Sequence, residues 1–339
     1  MEILKTKRRQ ILIALLIIST ITIALVIWFN RRGTKRAVVV DPVRTHTQIP
    51  EYIKGELPIQ LAESTVKNLR IPNELPIYSY NPKVITEEGA LSIAQKLGFI
   101  GEPLRAPDVL EGTKLVWSDE NASLWVTPAK SFISYYLNSH VETSSSILLP
   151  ESQLLTTAQN FLYEKFGLDS IQITPTNINY LIEAENPETG LVNTTKEKAN
   201  IYQFNFTYKD VGLPIMTNIP SRQIIFVYLL PEGTIIKSEA YIIENLQASP
   251  QKYAVKNSSD LVNSLNQARL LETENDYISL NDLQTEQIQN IDVQNFTLAY
   301  LLNTLLTESS LKPVFELSGN IRITGSSANF ARLLLPAFK

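Results

Sequence analysis

The chain has 339 residues, 44% hydrophobic and 19% charged, with no cysteine and two histidines. That apolar content supports a packed core and excludes wholesale disorder. The missing cysteines exclude Cys/His zinc sites and cysteine nucleophiles, and the net charge of −4 hides a split. Lys5, Lys7, Arg8 and Arg9 precede the most apolar stretch, and Arg31, Arg32, Lys35 and Arg36 follow it. With these eight and Glu2 set aside, 22 basic and 33 acidic residues remain, which puts the rest of the chain at about −11. Clustered Lys/Arg is what binds phosphate backbones, so no nucleic-acid partner is expected.

Residues 1–10 read as a basic tail. Ile11–Phe29 is nineteen residues without charge, Gly or Pro. At about 1.5 Å per residue it spans roughly 28 Å as a helix, close to the hydrocarbon core of a bilayer. Trp28 and Phe29 stand at its distal end, where aromatic rings favour the headgroup level. A cleaved signal peptide would have a shorter apolar region and a small-x-small site. A retained transmembrane helix is therefore expected. Four basic residues on each side leave the positive-inside count tied. The basic tail and the cysteine-free body favour a cytoplasmic N-terminus and an extracytoplasmic C-terminal body.

Residues 30–74 carry Pro42, Pro50, Pro58 and Pro72 and read as a stalk whose second half is extended against the body. Leu75–Tyr78 reads as an entry strand into a first α+β module, 75–148. Thr86 is a good N-cap, Glu87 and Glu88 suit the first turn, and Gly98 fits a left-handed stop. Strands are predicted at Lys114–Ser118, Ala122–Thr127 and Ser131–Asn138, with bulk from Trp117, Trp125, Phe132, Tyr135 and Tyr136. A second module, 149–248, opens on a helix ending at Lys165-Phe166-Gly167. That ending repeats Lys96-Leu97-Gly98 after 69 residues. Strands are predicted at Asn179–Ala184, Ala199–Lys209, Arg222–Leu230 and Ile235–Ile243. A third module, 249–339, opens at Ser258-Ser259-Asp260. A helix is predicted over Leu261–Leu271, and strands at Tyr277–Leu280, Ile291–Leu302, Leu311–Leu317 and Phe330–Leu335. Phe296–Leu306 fits a helical period as well. The fold class is α+β: a transmembrane helix, then repeated helix-on-antiparallel-sheet modules.

Few residues can carry chemistry. His46 and His140 are the only histidines, and both read as solvated. A Ser-His-Asp triad would need one of them, and no Gly-x-Ser-x-Gly elbow occurs. Glu183 and Glu185 share a strand face, where paired acids can do acid/base work, but a polar loop follows and an exposed rim is expected. Gly319 and Gly325 lack the strand–helix context and Lys of a phosphate loop. Asn-x-Ser/Thr sequons stand at Asn121, Asn193, Asn205, Asn257 and Asn295, of which Asn205 and Asn295 fall in predicted strands. No catalytic, cofactor-binding or metal-binding residue is assigned.

Leu75-Pro76-Ile77-Tyr78, Leu97-Gly98-Phe99-Ile100-Gly101-Glu102-Pro103, Gly212-Leu213-Pro214-Ile215, Gly233-Thr234-Ile235 and Leu311-Lys312-Pro313-Val314-Phe315 together resemble the PepSY-like and YycH/YycI-like extracytoplasmic domains of bacterial single-pass proteins. The resemblance spans about residues 75–335. It implies helix-on-sheet modules beside the membrane that bind or regulate other envelope proteins, and it brings no catalytic residues. The expected partners are the lipid bilayer, through Ile11–Phe29, and another envelope or membrane protein. The expected protein is non-enzymatic and needs no cofactor. A structural or cell-wall-associated envelope protein is the alternative, and a carboxylate-based hydrolase a third reading.

Overall fold

A computed structural model describes residues 57–61, 70–108, 112–138, 148–169, 172–183, 191–218, 223–273, 283, 285–304, 309–324 and 329–339. The expected anchor Ile11–Phe29, most of the stalk and the predicted strand Tyr277–Leu280 lie outside them. Among the described residues no helix is long and apolar enough to cross a membrane.

The fold is mixed α and β, mostly sheet with few helices. It begins with strands β1 (Ile59–Leu61) and β2 (Glu74–Pro82), then helix α1 (Glu87–Lys96). Next come β3 (Leu104–Ala106), β4 (Lys114–Ser118), β5 (Ala122–Thr127) and β6 (Phe132–Leu137). Helix α2 (Glu151–Phe161) follows, then β7 (Ile173–Glu183), β8 (Leu191–Asn193), β9 (Ile201–Tyr208), β10 (Ile215–Thr217), β11 (Ile225–Leu229) and β12 (Ile235–Tyr241). The last part holds β13 (Ile243–Ala254), helix α3 (Ser258–Asn263), β14 (Arg269–Thr273), β15 (Ile288–Leu302), β16 (Ser310–Ile323) and β17 (Asn329–Pro336).

Local sequence explains the first two helices. The Thr86 hydroxyl accepts the Gly89 N–H at 3.0 Å, and Glu87 and Glu88 stand in the first turn of α1, where the dipole favours negative charge. After α1 the chain turns at Gly98, φ +92°, and the Phe99 N–H reaches back to the Ala94 carbonyl. Helix α2 runs into one π-helical turn, Leu162–Phe166, and stops at Gly167, φ +72°. The two matching endings lie against each other, since Lys165 Nζ donates to the Lys96 carbonyl at 2.7 Å.

A nine-stranded sheet has the order β3-β4-β5-β6-β12-β11-β9-β7-β8, and the paired strands in it are antiparallel. Helix α1 precedes β3 to β6, and α2 precedes β7, β9, β11 and β12. The last strands of these two runs, β6 and β12, form the central pair. Ala90 and Ala94 of α1, Leu154 and Ala158 of α2 and Leu162 of the turn after it share one buried cluster with Leu124, Ile133, Phe204, Val227 and Ala240. Both helices thus cover the same face of the sheet.

The second, eight-stranded sheet has the path β1-β15-β16-β17-β14, with β10 beside β15 and β2 between β13 and the start of β16. One part of its core is a separate cluster that includes Leu261, Leu270, Phe315, Leu317 and Leu333, while Tyr78, Tyr80, Tyr300 and Leu311 belong to the cluster that the two helices share. The chain passes between the sheets at the β12–β13 corner, where Ile242 alone separates the two strands. The buried Tyr208 hydroxyl secures that corner, accepting the Ile243 N–H and donating to the Tyr241 carbonyl, both at 2.9 Å.

The predicted helix Leu261–Leu271 is corrected. Helix α3 ends at Asn263, and Arg269–Thr273 is strand β14. Leu270 and Leu271 are both almost fully buried but belong to different clusters. Consecutive apolar residues facing opposite sides are a strand's arrangement, and pairing with β17 imposes it. Phe296–Leu302 lies in strand β15 and not in a helix. The expected boundary at 248/249 falls inside β13.

Candidate functional site

Strand alternation sends one set of side chains to the helices and the other to the opposite face of the nine-stranded sheet. On that face, free of helices among the described residues, the ladders align a transverse row. Ser118 stands opposite Ser123, Ser123 opposite Tyr136, and Tyr136 opposite Lys237. Lys237 then faces Tyr228, Tyr228 faces Gln203, and Gln203 faces Asn179. Beside it runs a second row, Val116, Trp125, Ser134, Glu239, Phe226 and Asn205. The first row crosses seven strands, about 29 Å at the usual strand spacing.

The two rows are tied together. Lys237 Nζ lies 3.2 Å from Glu239 Oε1, and the Ser134 hydroxyl donates to the same oxygen at 3.4 Å. The ammonium also stands over the rings of Phe226 and Tyr228, 5.4 and 5.9 Å from their centroids. On one side of this centre Trp125 and Tyr136 meet edge to face at 5.7 Å. On the other runs a relay of carboxamides. Asn177 donates to Asn179 at 2.8 Å, Asn179 to Gln203 at 3.2 Å, and Gln203 to Asn205 at 2.8 Å.

Burial and charge give the band its character. Trp125, Tyr136, Tyr228 and Lys237 are half-buried, while Phe226, Gln203, Asn205 and Glu239 are buried. Burial pushes the Tyr228 phenol up to about 12, with the Glu239 carboxylate adding to it, so it is a neutral hydrogen-bonding group at physiological pH. The only charges in the two rows, Lys237 and Glu239, neutralise each other. The face offers aromatic edges and polar groups already oriented by their neighbours, which suits recognition.

The residues singled out from sequence do not converge. Glu183 is exposed at the end of β7 opposite Leu191, and Glu185, His46, His140 and Gly325 lie outside the described residues. Gly319 lies inside β16 opposite Val293. A Cβ there would stand 1.9 Å from the Asp292 carbonyl oxygen, so this glycine serves close strand approach. Of the sequons, Asn121 is exposed in the β4–β5 turn, Asn193 is exposed at the end of β8, and Asn257 caps α3. Asn205 is buried in the carboxamide relay, and Asn295 is exposed within β15. Among the described residues no group of three His, Cys, Asp or Glu side chains could hold a metal ion.

Sequence reasoning treated Trp125 and Tyr136 as bulk and did not find the band. Period-two alternation within β5 and β6 separates them from the helix-facing Leu124, Val126, Ile133 and Tyr135. Only the strand order brings them beside Lys237 and Tyr228. No protein-family model matches the chain, and no curated protein matches it in sequence.

Proposed function

We propose that this chain is a membrane-anchored, extracytoplasmic binding protein that engages another envelope protein through the helix-free face of its nine-stranded sheet. The observation that carries the reading is the aromatic and carboxamide band centred on Lys237 and Glu239. Tyrosine and tryptophan are enriched at the energetic centres of protein interfaces. Side chains already held by neighbours lose little freedom on binding, which lowers the cost of association. Ile11–Phe29 would be the anchor, holding the body beside its partner and raising the effective concentration so that weak contacts suffice.

On this reading the run α1 with β3 to β6 and the run α2 with β7, β9, β11 and β12 are two helix-on-sheet modules of PepSY-like type. They are joined through their last strands. The work proposed for them is binding, with no catalytic step.

The test is capture from intact membranes with the full chain as bait, beside a Trp125→Ala/Tyr136→Ala variant. One stoichiometric membrane protein is expected with the parent chain and a large loss with the variant. Recovery of no partner, or equal recovery with both, refutes the reading. The neutral mix of aromatic edges and carboxamides also suits saccharide chains, which keeps wall association as the second reading. Retention on isolated wall material without a membrane partner, reduced in the Trp125→Ala/Tyr136→Ala variant, favours that one.

A further inference from the structure

A cavity of about 240 Å³ lies where the two sheets meet, past the end of the aromatic band, with its lining residue Tyr241 two residues beyond Glu239 on β12. At the share of liquid volume a water takes, that is room for about eight waters, below the usual size of a drug-like site and close to that of one amino-acid residue. Its apolar wall is Tyr80 of β2, Tyr241 and Ile243 at the β12–β13 corner, and Leu302 at the end of β15. Its one charged lining residue is Lys130, from the 3₁₀ turn between β5 and β6.

The frame is fixed on each side. The Tyr80 N–H donates to the Ser309 carbonyl at 3.0 Å, and the Ile242 N–H to the Ser131 carbonyl at 2.8 Å. Ser131, directly after Lys130, has φ +51° and is 1% exposed, with its hydroxyl donating to the Lys83 carbonyl. A non-glycine residue in the left-handed region costs energy and persists where its surroundings hold it, often beside ligand sites. Here it sets the backbone from which Lys130 projects. No carboxylate among the described residues pairs with Lys130.

Thr304 supplies the second polar feature. Its N–H and its hydroxyl both donate to Asn218 Oδ1, at 2.8 and 3.0 Å. The N–H can only donate, so it fixes which way the Asn218 amide points and leaves Asn218 Nδ2 buried without a partner. The Thr304 hydrogen is therefore committed, which leaves its oxygen an acceptor on a residue that lines the cavity. A guest that suits the site carries an anion for Lys130, an N–H for Thr304 and an apolar group for the tyrosines and Leu302. The free end of a polypeptide has these three features in one residue.

We propose that the cavity receives the C-terminal residue of a peptide with an apolar last side chain. Its carboxylate meets Lys130, its amide N–H meets Thr304 Oγ1, and its side chain packs between Tyr80, Tyr241 and Leu302. A charge-assisted hydrogen bond to the carboxylate is the stronger of the two polar contacts.

The full chain is titrated with N-acetyl-leucine and with N-acetyl-leucinamide, followed by ligand-observed NMR. The free acid is expected to bind about tenfold more tightly than the amide, since only the acid makes the charged contact. Lys130→Gln should erase that ratio while leaving the melting temperature in place, and Leu302→Trp should block both probes by filling the cavity. Equal binding of acid and amide to the parent chain overturns the proposal. So does failure of the free acid to bind at millimolar concentration, or an unchanged ratio in Lys130→Gln. None of these results depends on whether the aromatic band binds a protein.

Discussion

Tyr208 shows how much one hydroxyl can hold. At the β12–β13 corner the Tyr241 carbonyl and the Ile243 N–H both meet it, and burial drives its acidity well below that of an ordinary tyrosine. Tyr208→Phe leaves a buried donor and a buried acceptor unmet, and we expect a loss of about 2–4 kcal/mol in urea unfolding. Tyr180→Phe is the contrast, because that hydroxyl meets the partly exposed Glu151 carboxylate, and a cost under about 1 kcal/mol is expected. Gly319→Ala should cost at least about 2–3 kcal/mol by the same measurement, since the new methyl would collide with the backbone of β15 at Asp292. Glu151 adds a pH dependence. Lys196, and then Tyr180, hold its carboxyl below the usual value of 4.5. A depressed folded-state pKa stabilises above the unfolded value, and that contribution disappears as pH falls through the folded one. Glu151→Gln should therefore lower the urea midpoint at pH 7, and the gap from the parent chain should narrow as pH drops below about 4.5.

Among the elements, α1 follows local rules most fully. Its cap, acidic first turn and glycine stop are all readable, and Thr86→Ala should cost about 1 kcal/mol by thermal or urea unfolding. Helix α3 has an equally good start, a capping box between Asn257 and Asp260. It stops after six residues because Arg269–Thr273 pairs with β17, which buries Leu270 on one side and Leu271 on the other. Packing of that kind overrides helical spacing. Strand β13 went unseen for the opposite reason. It is polar, mostly exposed and carries Pro250, and its pairing with β2 shifts register on both sides of Ala248. The second shift spans the proline, which cannot donate to a ladder. Nothing in such a run alternates strongly enough to announce a strand.

At the scale of the molecule, the two sheets share the β12–β13 corner and one buried cluster, in which Tyr78, Ile243, Tyr300 and Leu311 of the second sheet join the core of the first. Sequence divided the chain near 148, yet β6 and β12 from either side of that division are the central pair of one sheet. Residues of α1, α2 and both strand runs also share one buried cluster. A fragment holding residues 84–138 would expose the β12-facing edge of β6 and half of that cluster. We expect it to show no cooperative unfolding transition by circular dichroism, whereas 57–339 should show a sharp one. A cooperative transition in the isolated fragment would mean that the first run folds alone.

The sequence by itself determined what depends on neighbours along the chain. Helix caps and stops, turn residues and period-two strands are set within about ten residues, and α1, β4, β5 and β9 were legible for that reason. The absence of cysteine and the acidic balance are also properties of the chain alone. The tertiary structure alone decided which strands lie side by side. Lys237 and Tyr228 face each other across the β11–β12 hairpin, but Tyr136 is distant in sequence and meets them because β6 and β12 are adjacent. Lys130, Tyr80 and Thr304 meet because the chain turns from one sheet into the other at Tyr241–Ile243. Side-chain alternation is a local property, but the surface it builds depends on strand order, and strand order is fixed by the burial of distant faces against one another.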